Sequence, residues 1–431
     1  MMGNARRTLA ASTTMTTTPN QTEKLRELLL YVSEHSAYYQ QVFRGSNIEI
    51  NSIKETSDLT QLPFTAKDDL ARQNDDFLCV PKSKITDFVT TSGTMSDPVA
   101  FYLTDSDVER LATNEAQSFR CAGGSENDVY QLMTTIDKRF MAGLAYWMGA
   151  RKMGAGMIRV GPGAPFLQWE SIQRFSPTVL IAIPSFIPRL LDYAVANDID
   201  FKASGVKSII CIGEPIRNAD FTPNELGKRI TSQWDVKLYS TYASTEMGAA
   251  FTECEIGNGG HLNEDLLILE VVDEDGLNVG EGDLGEVVVT TLGVEGMPLI
   301  RYKTGDLCHV YYNPCSCGRS TPRLGPVVGR KQQMIKFKGT TIFPPALFDV
   351  LDMVKEIELY QVVISKNEYG NDEITILLPL QLQTAVFKEM LHSLFKSRLR
   401  VSPILEFITA EELTFRIYKQ EKRKPEKLIY I

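Results

Sequence analysis

Val179-Leu180-Ile181-Ala182-Ile183, stopped by Pro184, and Ser208-Ile209-Ile210-Cys211-Ile212, stopped by Gly213-Glu214-Pro215, are the runs whose reading decides the fold. Each is a short, continuous stretch of strand-forming apolar residues ended by turn residues, which is how a buried strand reads. Lys237-Leu238-Tyr239-Ser240-Thr241 is a third such run. From about 130 to 245 they alternate with helical patterns. That alternation predicts an α/β layered domain with a largely parallel sheet.

Outward from this block the pattern changes on both sides. Upstream, Leu25, Leu28, Leu29, Val32 and Tyr39 recur at helical spacing, predicting an amphipathic helix over 22–43. Leu62–Leu70 reads as a turn and a helix start, with Thr65 as N-cap and Asp68 three residues on. Downstream, 266–272 and 285–291 are strands with no helix between, which predicts a small β-meander or barrel. From about 331 a smaller α+β pattern begins, with strands at 359–364 and 373–378 and a helix at 384–399.

The chain has 431 residues, too many for one small core, so more than one domain is expected. A net charge of −9 argues against a nucleic-acid-binding surface as the main business. No apolar run is long enough to span a bilayer. Residues 1–20 carry Arg6-Arg7 and a Thr-rich stretch without the apolar core of a signal peptide, so they read as a disordered leader on a cytoplasmic protein. Seven cysteines form an odd set unlike a secreted disulfide framework. Cys79, Cys121, Cys211 and Cys308 stand alone and read as small buried hydrophobes.

Four stretches carry candidate chemistry. Thr90-Thr91-Ser92-Gly93-Thr94-Met95-Ser96-Asp97-Pro98 is a hydroxyl-rich loop able to turn N–H and O–H groups toward an anion, although taken alone it is an ordinary surface turn. Tyr242-Ala243-Ser244-Thr245-Glu246 follows a strand and, in isolation, reads equally well as a strand running into a helix cap. Tyr302-Lys303-Thr304-Gly305-Asp306 ends on what alone would be a turn aspartate. Gly329-Arg330 opens a basic stretch ending Lys336-Phe337-Lys338-Gly339.

In this order the four resemble the adenylate-forming superfamily of acyl-CoA synthetases. Leu62–Leu70, Gly213-Glu214-Pro215 and Cys315-Ser316-Cys317-Gly318 narrow the resemblance to its phenylacetate–CoA ligase branch, from about residue 22 to the end. The resemblance implies an adenylating domain over 21–331 and a mobile α+β domain over 332–431, hinged at Gln332. It implies ATP, Mg²⁺ and coenzyme A as cofactors or co-substrates, and an aryl acid such as phenylacetate as substrate.

Residue by residue, it implies that Ser92, Gly93 and Thr94 contact phosphate. Met95-Ser96-Asp97 depart there from the family's Thr-Gly-Lys. Glu246 would hold Mg²⁺, Thr245 would place its hydroxyl on the α-phosphate, and Tyr242, with Ala243 and Ser244, would lie near the adenine. Gly213, Glu214 and Pro215 would border the adenine as well. Asp306 would accept both ribose hydroxyls, and Arg330 would stand near ribose and phosphate. Lys424 aligns with the catalytic lysine, but Arg423 replaces the glycine that precedes it in relatives, so Lys422 and Lys427 stay open. Phe140, Ile183, Ser185, Tyr239 and Ala243 are the expected acid pocket.

Cys254, His261, Cys315 and Cys317 make a Cys₃His set, a closed tetrahedral combination suited to structural zinc. A disulfide between Cys315 and Cys317 would be strained. Zinc would pin the loop after Glu246 to the Cys-x-Cys loop. The expected activity is ATP-dependent acid–CoA ligation through an acyl-adenylate, without nucleic acid or membrane and with a homodimer compatible. Delivery of the acyl group to a carrier protein or an amine is the alternative, and a non-catalytic nucleotide- or acyl-binding relative is the third reading.

Overall fold

The computed structural model describes residues 19–91, 98–337, 340–367, 372–418 and 425–431. Five strands, Gly156–Arg159, Val129–Leu132, Val179–Ala182, Ser208–Ile212 and Lys237–Ser244, lie side by side in that order, all parallel. Leu180, Ala182, Ile209 and Cys211 pack with Trp169 and Trp234 on one face. Val179, Ile181, Ile210 and Ile212 pack with Tyr130 and Tyr146 on the other. Strand side chains alternate between faces. Two separate cores on alternate residues therefore explain why these strands are apolar without a break.

After Lys237–Ser244 the sheet reverses. A tight turn with Gly248 at φ +53° returns the chain as the antiparallel strand Ala249–Glu253. The sheet then continues through Gly260–His261, Arg323–Leu324, Tyr302–Tyr311, Leu284–Thr291 and Leu267–Val272. The expected meander is present, but it extends the same twelve-stranded sheet (counted among the described residues) rather than closing a barrel of its own.

Three local expectations need correction. The helix predicted over 22–43 is two helices, Pro19–His35 and Ala37–Gly45. Ser36 is extended (φ −97°, ψ 116°); its Oγ accepts from the Tyr39 N–H and donates to the Asp76 carbonyl. The expected leader therefore overlaps the first helix at Pro19 and Asn20; residues 1–18 lie outside the described residues. Thr65 is not an N-cap. The helix Lys67–Arg72 is capped at Ala66, whose N–H donates to Asp69. Thr65 instead donates through Oγ1 to the Ile300 carbonyl (2.8 Å), while its backbone pairs with Arg301 and Lys303.

The helices Asp105–Cys121 and Met141–Met153 pack against each other beside the parallel strands. Gly149 permits the close approach: a Cβ there would lie 2.3 Å from the Glu115 Cβ. A smaller unit follows, with the sheet order Ile404–Ile408, Asp372–Pro379, Gln361–Lys366, Leu428–Tyr430 and the helices Pro344–Asp352, Ala385–Leu399 and Ala410–Ile417. It has its own core, including Leu347, Val362, Ile376, Leu391 and Phe395. Among the described residues no helix is long and apolar enough to cross a membrane.

Candidate active site and thiol cluster

A cavity of about 390 Å³ opens where the parallel strands end and the antiparallel ones begin. Open α/β sheets place ligand crevices at such strand ends. Ile183, Ile212, Gly213, Thr241 and Ala243 line it from the parallel side, and Tyr302 to Asp306 from the antiparallel side.

Asp306 owes its position to a bulge. Lys303 pairs with Val288 and Leu307 with Glu286, so Thr304, Gly305 and Asp306 stand opposite Val287 alone. Gly305 takes φ +76°, which favours glycine. The Thr304 hydroxyl donates to the Val287 carbonyl (2.9 Å) and accepts from the Asp306 N–H (3.1 Å). The Asp306 carboxylate is thereby fixed between two donors. Tyr242 donates to Oδ2 at 2.8 Å and Arg330 Nε to Oδ1 at 2.9 Å. Arg330 reaches it by pairing with Asp306 across the sheet. Burial, then the Asp306 charge, pushes the Tyr242 hydroxyl well above its usual range, so it stays a donor.

Thr245 and Glu246 sit on the reversing turn and line the cavity. The strand runs into this turn and then a second strand, not into a helix cap. Ser244 Oγ accepts from the Met247 N–H, and Tyr302 Oη lies 3.4 Å from Glu246 Oε1.

Phe140 and Ile183 line the cavity as expected; Ser185 and Tyr239 fall outside its lining. Ser185 turns to Glu214, donating to its carboxylate from N and Oγ at 3.0 Å each. Tyr239 has the same strand parity as Thr241 and Ala243 but lies deeper and packs into the core. Glu214 and Pro215 are likewise outside the lining; Glu214 holds the Ser185 turn against Gly213. Ser92, Gly93, Thr94, Lys422 and Lys424 lie outside the described residues. Lys427 stands over the Tyr360 ring, 4.9 Å from its centre, and is not part of the cavity lining.

Six charged lining residues were given no site role from sequence: Lys67, Asp68, Glu115, Glu286, Lys303 and Lys331. Glu286 meets Lys331 at 3.2 Å and Lys303 at 3.8 Å. Glu115 had a readable signal, because it shares the buried helix face of Val108, Leu111, Ala112 and Phe119.

On the other side of the reversing turn, the ligand atoms of Cys254, His261, Cys315 and Cys317 all lie within 4.8 Å of one another. Cys254 and Cys315 sulfurs are 3.8 Å apart, and Cys317 Sγ is 3.6 Å from His261 Nε2. With Zn–S near 2.3 Å, a tetrahedral site has S···S edges of about 3.8 Å, so the set fits that ion. His261 Nδ1 is 3.1 Å from the Thr321 hydroxyl, which orients the ring. Burial, then Arg319 and Arg323, lowers the His261 pKa to about 4, leaving a neutral imidazole at neutral pH. Cys254 and His261 follow the turn that bears Glu246, and Cys315 and Cys317 follow the strand that bears Asp306. The cluster thus ties together the two segments that build the cavity rim.

The AMP-binding enzyme family model matches residues 21–296. The phenylacetate-coenzyme A ligase of Thermus thermophilus is 29% identical over 377 residues, which is 86% of this chain and 82% of the relative. The Escherichia coli K12 protein of the same name is 28% identical over 333 residues, 76% of this chain and 74% of the relative. A crystal structure of 2-hydroxyisobutyryl-CoA ligase, in the postadenylation state with 2-HIB-AMP, superposes with a TM-score of 0.82 at 23% identity, covering 95% of this chain and 89% of that one. The same ligase with 2-HIB-AMP and CoA in the thioesterification state superposes at 0.68, at 23% identity over 95% of this chain and 88% of that one.

Proposed function

This chain belongs to the AMP-binding enzyme family, and from that membership we propose that it is an ATP-dependent acid–CoA ligase acting through an acyl-adenylate. The observation that carries the reading is Asp306, held on a strand bulge between Tyr242 and Arg330 in the lining of the cavity. Each carboxylate oxygen keeps a lone pair beyond its present bond, so it can accept the two hydroxyls of a ribose.

The acid's carboxylate attacks the α-phosphorus in line. The new C–O–P link forms as the bond to the β-phosphate oxygen breaks, and pyrophosphate leaves. Positioning and charge stabilisation are the protein's contribution. Thr245 and Glu246 stand at the turn where the α-phosphate would lie; Mg²⁺, bound through Glu246, would offset phosphate charge. Lys67, Lys303 and Arg330 line the same space and add positive charge. The CoA thiol then displaces AMP from the activated carbonyl. Residues 332–431 would turn about Gln332 between the half-reactions, with Lys424 brought in from the tail for the first.

The acid is proposed to be aryl and phenylacetate-like, in keeping with the relatives' names. Zinc would sit on Cys254, His261, Cys315 and Cys317 and stiffen the rim; metal analysis of purified protein should return zinc at unit stoichiometry, lost when Cys317 becomes Ser. The enzyme is proposed to be cytoplasmic and homodimeric, and to need neither nucleic acid nor membrane.

Pyrophosphate release over a panel of aryl, short and medium acids tests the reading, run with and without CoA. Acyl-CoA and AMP are the expected products. Absence of pyrophosphate with every acid would sink it; acyl transfer indifferent to CoA would redirect it to a carrier protein or an amine.

A further inference from the structure

We propose that the acid activated here carries a hydroxyl group remote from its carboxyl, and that Glu115 is the residue that recognises it. The proposal rests on the ligase reading for the position of the carboxyl and on the cavity for everything else.

Glu115 is 6% exposed, yet its side chain lines the same cavity as Thr245 and Glu246. Its neighbours in that lining include the apolar Leu111, Met141 and Ala145, and Tyr146, whose buried hydroxyl is held protonated by burial and by the nearby Glu115. Among the described residues no Lys, Arg or His nitrogen comes within 4.0 Å of its carboxylate. Its Oε1 accepts from Asn114 Nδ2 at 3.1 Å. Asn114 is fixed in turn, because its Oδ1 accepts from the Ala250 N–H at 3.2 Å.

Other deeply buried acids are more fully engaged. Asp107 accepts from the backbone N–H groups of Thr104, Glu295 and Gly296. Glu253 accepts both from Arg217 and from the Ser240 N–H. Buried polar groups left short of partners are costly and mark places where a ligand completes the set.

Position along the helix separates this group from the reacting centre. Leu111 lies against Gly248, just past Glu246; a Cβ on Gly248 would touch it at 3.8 Å. Glu115 is one turn further, about 6 Å along the axis. The substrate's carboxyl belongs with the α-phosphate at the turn, so Glu115 meets the other end of the molecule.

The form of Glu115 selects the ligand's chemistry. Burial without a cation raises its pKa to about 8, so at neutral pH it is largely the uncharged acid. That form offers one O–H donor and a carbonyl acceptor, which an alcohol or phenol matches on both counts. An ammonium would require an ionised carboxylate and would lose its own hydration, an exchange that buried ion pairs seldom recover in full.

Adenylation should be measured with matched pairs of acids: phenylacetate against its three monohydroxylated forms, hexanoate against 6-hydroxyhexanoate, and an aminomethyl-phenylacetate as the cationic arm. The expected result is that one hydroxylated acid exceeds its parent by about tenfold or more in kcat/KM. Glu115→Leu should reverse that order, and Glu115→Gln, still both donor and acceptor, should retain it. Calorimetric binding of the same acids with a non-hydrolysable ATP analogue gives the ratio without turnover. If no acid is adenylated, the ligase reading fails while the binding ratio still decides this inference. Parents preferred in every pair, a preference for the cation, or a ratio untouched by both substitutions overturns it.

Discussion

Two buried glutamates, one in the antiparallel half of the sheet and one beside the parallel half, are treated in opposite ways. Glu270 faces Arg301 with both side chains 3% exposed. Arg301 donates Nε and Nη2 to the two carboxylate oxygens at 3.0 and 2.8 Å, and Nη1 to the Leu62 carbonyl at 2.7 Å. Phe64 lies 4.0 Å under the guanidinium. Burial raises the Glu270 carboxyl and Arg301 pulls it back. At Glu115 burial acts with the Asn114 amide alone against it, and the side chain lines the cavity beside the Tyr146 hydroxyl. A buried charge that closes on its own partners is architecture. A buried acid that opens onto a cavity is a receptor group.

The largest expected effect breaks the closed pair. Arg301→Leu strands a buried carboxylate and the carbonyls of Leu62 and Thr60, and should destabilise the fold by about 3–5 kcal/mol in chemical denaturation. The double change Arg301→Leu with Glu270→Leu should recover most of that loss; if it does not, the pair is not self-contained.

Next comes the open group, through pH. The folded pKa of Glu115, about 8, lies above the ordinary glutamate value of 4.5, so the folded state holds this proton more tightly. Its contribution is therefore complete below about pH 4.5 and declines as pH rises toward 8, by a few kcal/mol at most. Denaturation midpoints across that window should fall more steeply for wild type than for Glu115→Gln. Parallel pH profiles would erase the contrast between the two glutamates.

The smallest effect concerns Glu214, a half-way case anchored by neutral donors. Ser185→Ala removes one of its two Ser185 bonds and should cost about 1 kcal/mol, with acid selectivity unchanged because Ser185 lies outside the cavity lining.

Much of this architecture was legible. The apolar runs at 179–183 and 208–212 read as strands because both of their faces are covered, which leaves no polar alternation to misread. Cys254, His261, Cys315 and Cys317 were grouped by side-chain chemistry, and the chain does bring them together. What was missed depended on partners distant in sequence. Ser185 pointed to the pocket until Glu214 claimed it, 29 residues away. Thr65 looked like a cap, but pairing with Ile300 and Arg301 outweighs capping. Glu115 was not singled out at all. Its place on the apolar face of its helix was readable, but the packing of the helix Met141–Met153 over it was not.

Gly149 gives that packing a further meaning. A methyl group there would collide with the Glu115 Cβ and with helix backbone at 3.0 Å. The helices would have to part, or the acid would have to shift within its pocket. Position 149, outside the cavity lining, therefore bears on where the Glu115 side chain sits without itself touching the cavity.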